Sequence, residues 1–174
     1  AAPRTKRRWR GIAARVGIAL ALLAAVRWMH LAESLTFYFP SRASFLTPAA
    51  AEDLTFTTRD GLRLHGWFVR AADAQPGEKR PAILHAHGNA GNIADHLAFS
   101  AHLASAGFHV FIFDYRGYGK SEGEFPSEVN VYADAQAAWL YLTQKRQIPA
   151  QQIYIYGHSL GGAVAIDLAV QHPQ

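Results

Sequence analysis

The chain has 174 residues, of which 50% are apolar and 12% aromatic, so long disorder, collagen and coiled coil are excluded and a single domain is expected. Its net charge of +4 is uneven, because seven of the 17 Lys and Arg lie in the first thirty residues, which hold no acid, leaving ten cations against thirteen acids elsewhere. This mildly acidic body argues against nucleic-acid binding, and the absence of cysteine excludes disulfides, thiolate catalysis and cysteine-based zinc sites.

The N-terminal segment, residues 1–35, has the pattern of a membrane signal anchor. A basic cluster, Arg4 to Arg10, precedes an apolar run from Val16 to Val26. That run alone makes about 16 Å of helix. Extending it back to Gly11 and on to Ala32 would span a hydrocarbon core of about 30 Å, provided that Arg15 and Arg27 reach the two interfaces. The positive-inside rule then predicts a cytoplasmic N-terminus and a domain on the far side of the membrane, in a periplasmic, lumenal or extracellular space. A cleaved signal peptide and an amphipathic or buried helix are the alternatives.

After a connector at residues 36–51, a folded domain is predicted over residues 52–174. It opens with a hairpin whose strands, Leu54 to Thr57 and Leu62 to Val69, flank an Asp-Gly turn. Short apolar strands then alternate with helical patterns, which predicts an α/β fold with a mostly parallel sheet covered by helices on both faces. These later elements are a strand at Ala82–Ala86, a helix at Ile93–Ala106, a strand at His109–Phe113, a helix between Ser127 and Lys145, a strand at Ile153–Tyr156 and a helix at Ala163–Val170.

A G-x-S-x-G sequence centred on Ser159 lies between the last strand and the last helix. A sharp strand-to-helix turn leaves no room for side chains two residues before and after the serine, which explains Gly157 and Gly161. Such a turn holds the serine hydroxyl clear of the sheet and directs the first amides of the helix, including that of Leu160, at the reacting group. Ser159 is therefore predicted to be a nucleophile, with a helix-capping serine in a glycine turn as the alternative.

The sequence His87-Gly88-Asn89 follows an earlier strand and predicts the second half of an oxyanion hole. The donor would be the backbone amide of Asn89, and Gly88 would let that amide approach the substrate oxygen. His87 is interpreted as a structural hydrogen-bonding residue rather than a base, and His85 and His158 are also interpreted as structural.

A third glycine-bearing loop runs from Asp114 to Ser121. It resembles the end of a P-loop, but Asp114 occupies the position of the required first glycine, and the spacing of its glycines does not match a dinucleotide fingerprint. It is predicted to be a tight structural loop braced by Asp114 and Arg116, with Tyr118 as a candidate residue lining the site.

These three loops, in this order, resemble those of the α/β-hydrolase superfamily. The closer resemblance is to membrane-anchored, lysophospholipase-like serine hydrolases with a His-Gly-Asn-x-x-Asn oxyanion loop. Membership would imply a Ser-His-Asp triad that hydrolyses esters, thioesters or amides through an acyl-enzyme on Ser159. The backbone amides of Asn89 and Leu160 would be the oxyanion donors, with no metal and no organic cofactor.

The chain departs from this pattern because the acid and histidine of the triad should follow the serine on later strands. After Ser159 only Asp167 and His172 are available, and both lie on the predicted elbow helix, where His172 would be about 20 Å from the serine. The sequence is therefore interpreted as the N-terminal part of a longer hydrolase, with its acid and histidine beyond residue 174. The alternative is a complete product, which we would expect to be unstable and inactive.

The leading functional hypothesis is a serine hydrolase that acts on a small-molecule ester or thioester, lipid-derived in view of the anchor. Two alternatives stay open from the residues alone. One is a non-catalytic, hydrolase-like binding module at the membrane. The other is an acyltransferase that passes the acyl group to an acceptor other than water.

Overall fold

The N-terminal segment is one continuous helix, α1, from Arg4 to Phe37, in a computed structural model that describes residues 4–75 and 77–173. Its part Ile12–Phe37 has 26 residues and a mean hydropathy of 1.7, and none of its most apolar window is buried. A helix of that length rises about 39 Å, more than the roughly 30 Å of a bilayer core. By length and composition α1 is therefore a candidate membrane span, and it ends two residues inside the predicted connector.

The described strands are β1 (Phe39–Pro40), β2 (Ala51–Thr57), β3 (Arg63–Val69), β4 (Ala82–Ala86), β5 (Ala90–Gly91), β6 (His109–Phe113) and β7 (Ile153–Gly157). Five of them form one sheet with the order β2-β3-β6-β4-β7. β4, β6 and β7 are parallel, whereas β2 and β3 form the predicted hairpin and β3 is antiparallel to β6. The remaining two strands, β1 and β5, pair in parallel with each other, and sequence reasoning missed this pair.

Helices follow the strands as predicted, with short irregular turns at their ends. The helix expected from Ile93 begins as a 3₁₀ turn, Ile93–His96, capped by Asn92, whose side chain accepts the N–H of Ala94. The helix expected up to Lys145 changes to a π-helical turn at Tyr141–Lys145. The α-helices of the domain are α2 (Leu97–Ser105), α3 (Glu128–Leu140) and α4 (Leu160–Gln171).

Two hydrophobic cores cover the two faces of the sheet. Because successive residues of a strand point to opposite faces, Leu84 joins the core under α3 and α4, while its neighbour Ile83 joins the core under α2. The fold is thus α/β, with helices on both faces, as predicted. The carboxyl ends of β4, β6 and β7 lie at one edge, so the three glycine-bearing loops that follow them converge there.

Candidate active site

Ser159 occupies the turn between β7 and α4 in a backbone conformation that non-glycine residues rarely adopt. Its φ is 54° and its ψ is −119°. Such conformations cost roughly 1–3 kcal/mol and persist where the surrounding structure imposes them, often at functional sites. Ser159 is exposed, and although it stands at the N-cap position of α4 its side chain makes no capping hydrogen bond. The geometry therefore does not match the helix-capping alternative.

The glycines around Ser159 are required by backbone contacts. A Cβ atom on Gly157 would lie 1.8 Å from the carbonyl oxygen of Gly161. One on Gly161 would lie 1.9 Å from the carbonyl oxygen of Ala86 and 2.7 Å from that of His87. The elbow is therefore packed directly against the end of β4, which places Ser159 beside the His87–Asn89 loop.

The backbone amides predicted to be the oxyanion donors lack a protein partner in the described part of the chain. Within residues 4–75 and 77–173, the N–H groups of Asn89 and Leu160 donate to no protein acceptor. Leu160 opens α4, so its amide has no intrahelical partner. Gly88 is in close contact with the elbow, since a Cβ there would lie 3.0 Å from Nδ1 of His158. The structure therefore brings together the predicted nucleophile and the two loops that carry the predicted oxyanion donors.

The histidines near the elbow differ in their environments. His87 is fully buried, its Nδ1 lies 2.7 Å from the carbonyl oxygen of Gly88, and burial lowers its pKa to about 3. Burial also lowers the pKa of His85 to about 4, and its Nδ1 lies 3.0 Å from Oγ of Ser100. With these lowered pKa values, both rings are neutral at pH 7. His158 is exposed, and its side chain has no hydrogen bond among the described residues.

The loop after β6 is braced by buried charges. Oδ1 of Asp114 accepts the N–H of Ile93 at 2.9 Å. The guanidinium of Arg116 pairs with Asp134, with 2.7 Å between Nη2 and Oδ1. Tyr118 is fully buried and its ring packs in the core, so the expectation that it lines the site is wrong.

The two late residues considered as triad partners face other groups. Nε2 of His172 lies 2.8 Å from Oε1 of Gln136, and its ring stacks on Trp139 with 4.4 Å between centroids. The carboxylate of Asp167 accepts a hydrogen bond from Gln171. Neither residue contacts Ser159, as expected from their positions along α4.

Comparison with known proteins places this fold and these loops in a family. The sequence profile of the alpha/beta hydrolase fold matches residues 81–174, which include all three loops. The chain belongs to the alpha/beta hydrolase family. The chain is 39% identical over 127 residues to the uncharacterized protein YfhR of Salmonella typhi, covering 72% of this chain and 43% of that protein. It is 37% identical over 161 residues to the uncharacterized protein Rv2307c of Mycobacterium tuberculosis, covering 90% and 56%.

A solved structure shows the same architecture. The Pyrococcus furiosus esterase Pf2001 superposes on this chain with a TM-score of 0.62 and 25% identity, over 79% of this chain and 52% of that one. The chain spans about half the length of the curated relatives it matches.

Sequence reasoning assigned a role only to the backbone amide of Asn89 and missed its side chain. Oδ1 accepts hydrogen bonds from the N–H of Phe39 and the hydroxyl of Tyr118, and Nδ2 donates to the carbonyl oxygen of Phe37. No local pattern in the sequence indicates these contacts, because the partners are between 29 and 52 residues away.

Proposed function

We propose that this hydrolase is a serine esterase that cleaves carboxylic ester or thioester bonds through an acyl-enzyme on Ser159. The observation that carries the proposal is the strained backbone of Ser159 at the start of α4, beside two amides without protein acceptors. A structural serine has no need of this conformation, whereas a nucleophile at the end of a strand does.

The reaction begins when Oγ of Ser159 attacks the carbonyl carbon and gives up its proton to a base. The negative charge that develops on the carbonyl oxygen is stabilised by the N–H groups of Leu160 and Asn89 and by the N-terminal end of α4. Each such donor contributes about 10²–10³ in kcat in comparable sites. Collapse of the tetrahedral intermediate breaks the bond to the alcohol or thiol, which leaves with the proton, and water then hydrolyses the acyl-enzyme.

The base and its acid partner are part of the proposal. Asp167 and His172 are hydrogen-bonded to other residues, and the matched regions cover only about half of the relatives' length. We place the acid and histidine of the triad beyond residue 174, on later strand ends of the same sheet. The chain of 174 residues alone would then be inactive.

The proposed location and substrate follow from α1. We place α1 across a membrane, with the basic N-terminus in the cytoplasm and the domain on the far side. Where α1 meets the domain, the side chains of Leu35, Phe37 and Phe39 are exposed. The backbones of Phe37 and Phe39 are hydrogen-bonded to the side chain of Asn89. The apolar surface formed by their exposed rings therefore adjoins the proposed oxyanion hole. This supports a lipid-derived ester presented at the membrane surface.

Fluorophosphonate labelling of membranes that contain the full-length protein tests the proposal. The expected result is a labelled protein whose modified peptide carries the probe on Ser159, and no label on the Ser159→Ala variant. Folded full-length protein that neither reacts with the probe nor hydrolyses short-chain esters would overturn the proposal in favour of a binding module. Acyl transfer to an added alcohol that outpaces hydrolysis would overturn the assignment to hydrolysis.

A further inference from the structure

The last turn of α1 is attached to the hydrolase domain. Ser34 and Tyr38 are buried, and Tyr38 belongs to the core under α3 and α4. Oε1 of Glu33 accepts the N–H of Glu128, the first residue of α3, at 2.9 Å. Residues 12–30 of the candidate span are exposed. The domain end of the helix is therefore part of the folded domain.

The segment that follows α1 pairs with the oxyanion loop. In the parallel β1–β5 pair, Phe39 lies opposite Ala90 and Pro40 opposite Gly91. One residue later, the N–H of Ser41 donates to the carbonyl oxygen of Gly91 at 2.9 Å. Among the described strands, β1 is the only partner of β5. The backbone of the oxyanion loop is therefore supported on one side by residues that come directly after the candidate membrane helix.

The side-chain carboxamide of Asn89, within the loop itself, also binds the segment that follows α1. Its Oδ1 accepts the N–H of Phe39 at 3.1 Å and the hydroxyl of Tyr118 at 2.9 Å, while Nδ2 donates to the carbonyl oxygen of Phe37. The side chain thus bonds the backbone on both sides of buried Tyr38. Since the same residue carries the proposed oxyanion donor, fixing its side chain also fixes the direction of its backbone N–H.

We propose that the carboxamide of Asn89 is a positioning group, which holds the backbone N–H of Asn89 in the oxyanion hole by binding the α1–β1 junction and Tyr118. This inference rests on the proposed function. Oxyanion donors act when they lie about 2.7–3.1 Å from the developing charge, and a displacement of about 1 Å can cost about 100-fold in rate. The attachment of the membrane helix to its domain is then also a support of the catalytic geometry.

The test uses the full-length protein and measures kcat and KM for an ester, with active sites counted by fluorophosphonate titration. Asn89→Leu removes all three hydrogen bonds but keeps the backbone N–H, and we expect kcat per titrated site to fall about 10–100-fold with KM nearly unchanged. Tyr118→Phe removes one donor and is expected to lower kcat about 3–10-fold. Tyr132→Phe is the matched control, because its hydroxyl donates to Glu128 on the surface, and it should leave both constants unchanged.

The readouts separate positioning from folding. A purely structural role would lower the number of titrated sites and leave kcat per site unchanged, and that result in either variant would overturn the proposal. An increase in KM with unchanged kcat would also overturn it, because the side chain would then contact the substrate. Ser159→Ala, assayed in parallel, tests the proposed function itself: activity retained there overturns the esterase, whereas activity lost there and retained in Asn89→Leu overturns only the positioning role.

Discussion

Replacing Gly161 by alanine tests whether the turn at Ser159 requires glycine because it packs against the backbone of β4. The added Cβ would lie 1.9 Å from the carbonyl oxygen of Ala86, more than 1 Å inside the 3.0 Å that real Cβ atoms keep. The atoms nearest to this Cβ belong to the backbone of Ala86 and His87, so α4 must move away from β4. Overpacking typically costs about 1–3 kcal/mol, and we expect about 3 kcal/mol here because the backbone itself has to shift. The midpoint of thermal unfolding should then fall by about 6–12 °C.

The neighbouring glycine provides a matched control. A Cβ on Gly162 has the carbonyl oxygen of Gly157 as its nearest neighbour, at 3.8 Å, so Gly162→Ala fits. It should raise stability by about 1 kcal/mol, since glycine is a poor helix former. The assay is thermal unfolding in detergent followed by circular dichroism, together with the rate of fluorophosphonate labelling, which should fall about 100-fold in Gly161→Ala. Equal stability and equal labelling in the two variants would refute the packing argument.

Three further predictions concern other parts of the structure. Ser159→Gly should abolish labelling and raise the free energy of unfolding by about 1 kcal/mol, because glycine adopts the backbone conformation of Ser159 without strain, and a destabilised variant in urea unfolding would contradict this. Asp134→Ala leaves the buried guanidinium of Arg116 without its main partner and should destabilise the fold by about 3–5 kcal/mol. The midpoint of thermal unfolding should then drop by about 10 °C or more. A drop under about 2 °C would mean that the pair contributes little to stability. Burial lowers the pKa of His87 to about 3, so between pH 6.5 and 3 the unfolded chain binds more protons than the folded one. The free energy of unfolding should therefore decrease as the pH is lowered through this window, and it should decrease less steeply in His87→Gln. Identical slopes in urea titrations from pH 7.5 to 4.5 would exclude this contribution.

Local patterns were enough to predict the strands at the centre of the sheet and the turn after the last one. β4 and β6 have the predicted bounds, because an uninterrupted apolar run of five residues suits a strand buried on both faces. The turn at Ser159 could be predicted because it leaves no room for side chains at positions 157 and 161, and the sequence has glycine at both. The three loops converge because parallel strands place their carboxyl ends at one edge.

Element ends were harder to predict from the sequence. The helix predicted through Lys145 becomes π-helical at Tyr141, and α1 continues two residues past the expected end of the anchor, through Phe37. In both places tertiary contacts act on the helix end. Tyr141 packs on Phe56 and Phe111, and the last turn of α1 is held by the contacts of Glu33 and Ser34 with the domain.

The sequence by itself therefore determined the fold class and the order of the three loops, and it was enough to predict Ser159 as the nucleophile. The reason is that hydrophobic periodicity and turn chemistry depend on a few neighbouring residues. Only the tertiary structure decided the β1–β5 pair, the burial of Tyr118 and the contacts of the Asn89 side chain. These contacts join residues 29 to 52 positions apart. Such contacts depend on the folded arrangement, in which the sheet brings the loops to one edge and the end of α1 packs against them.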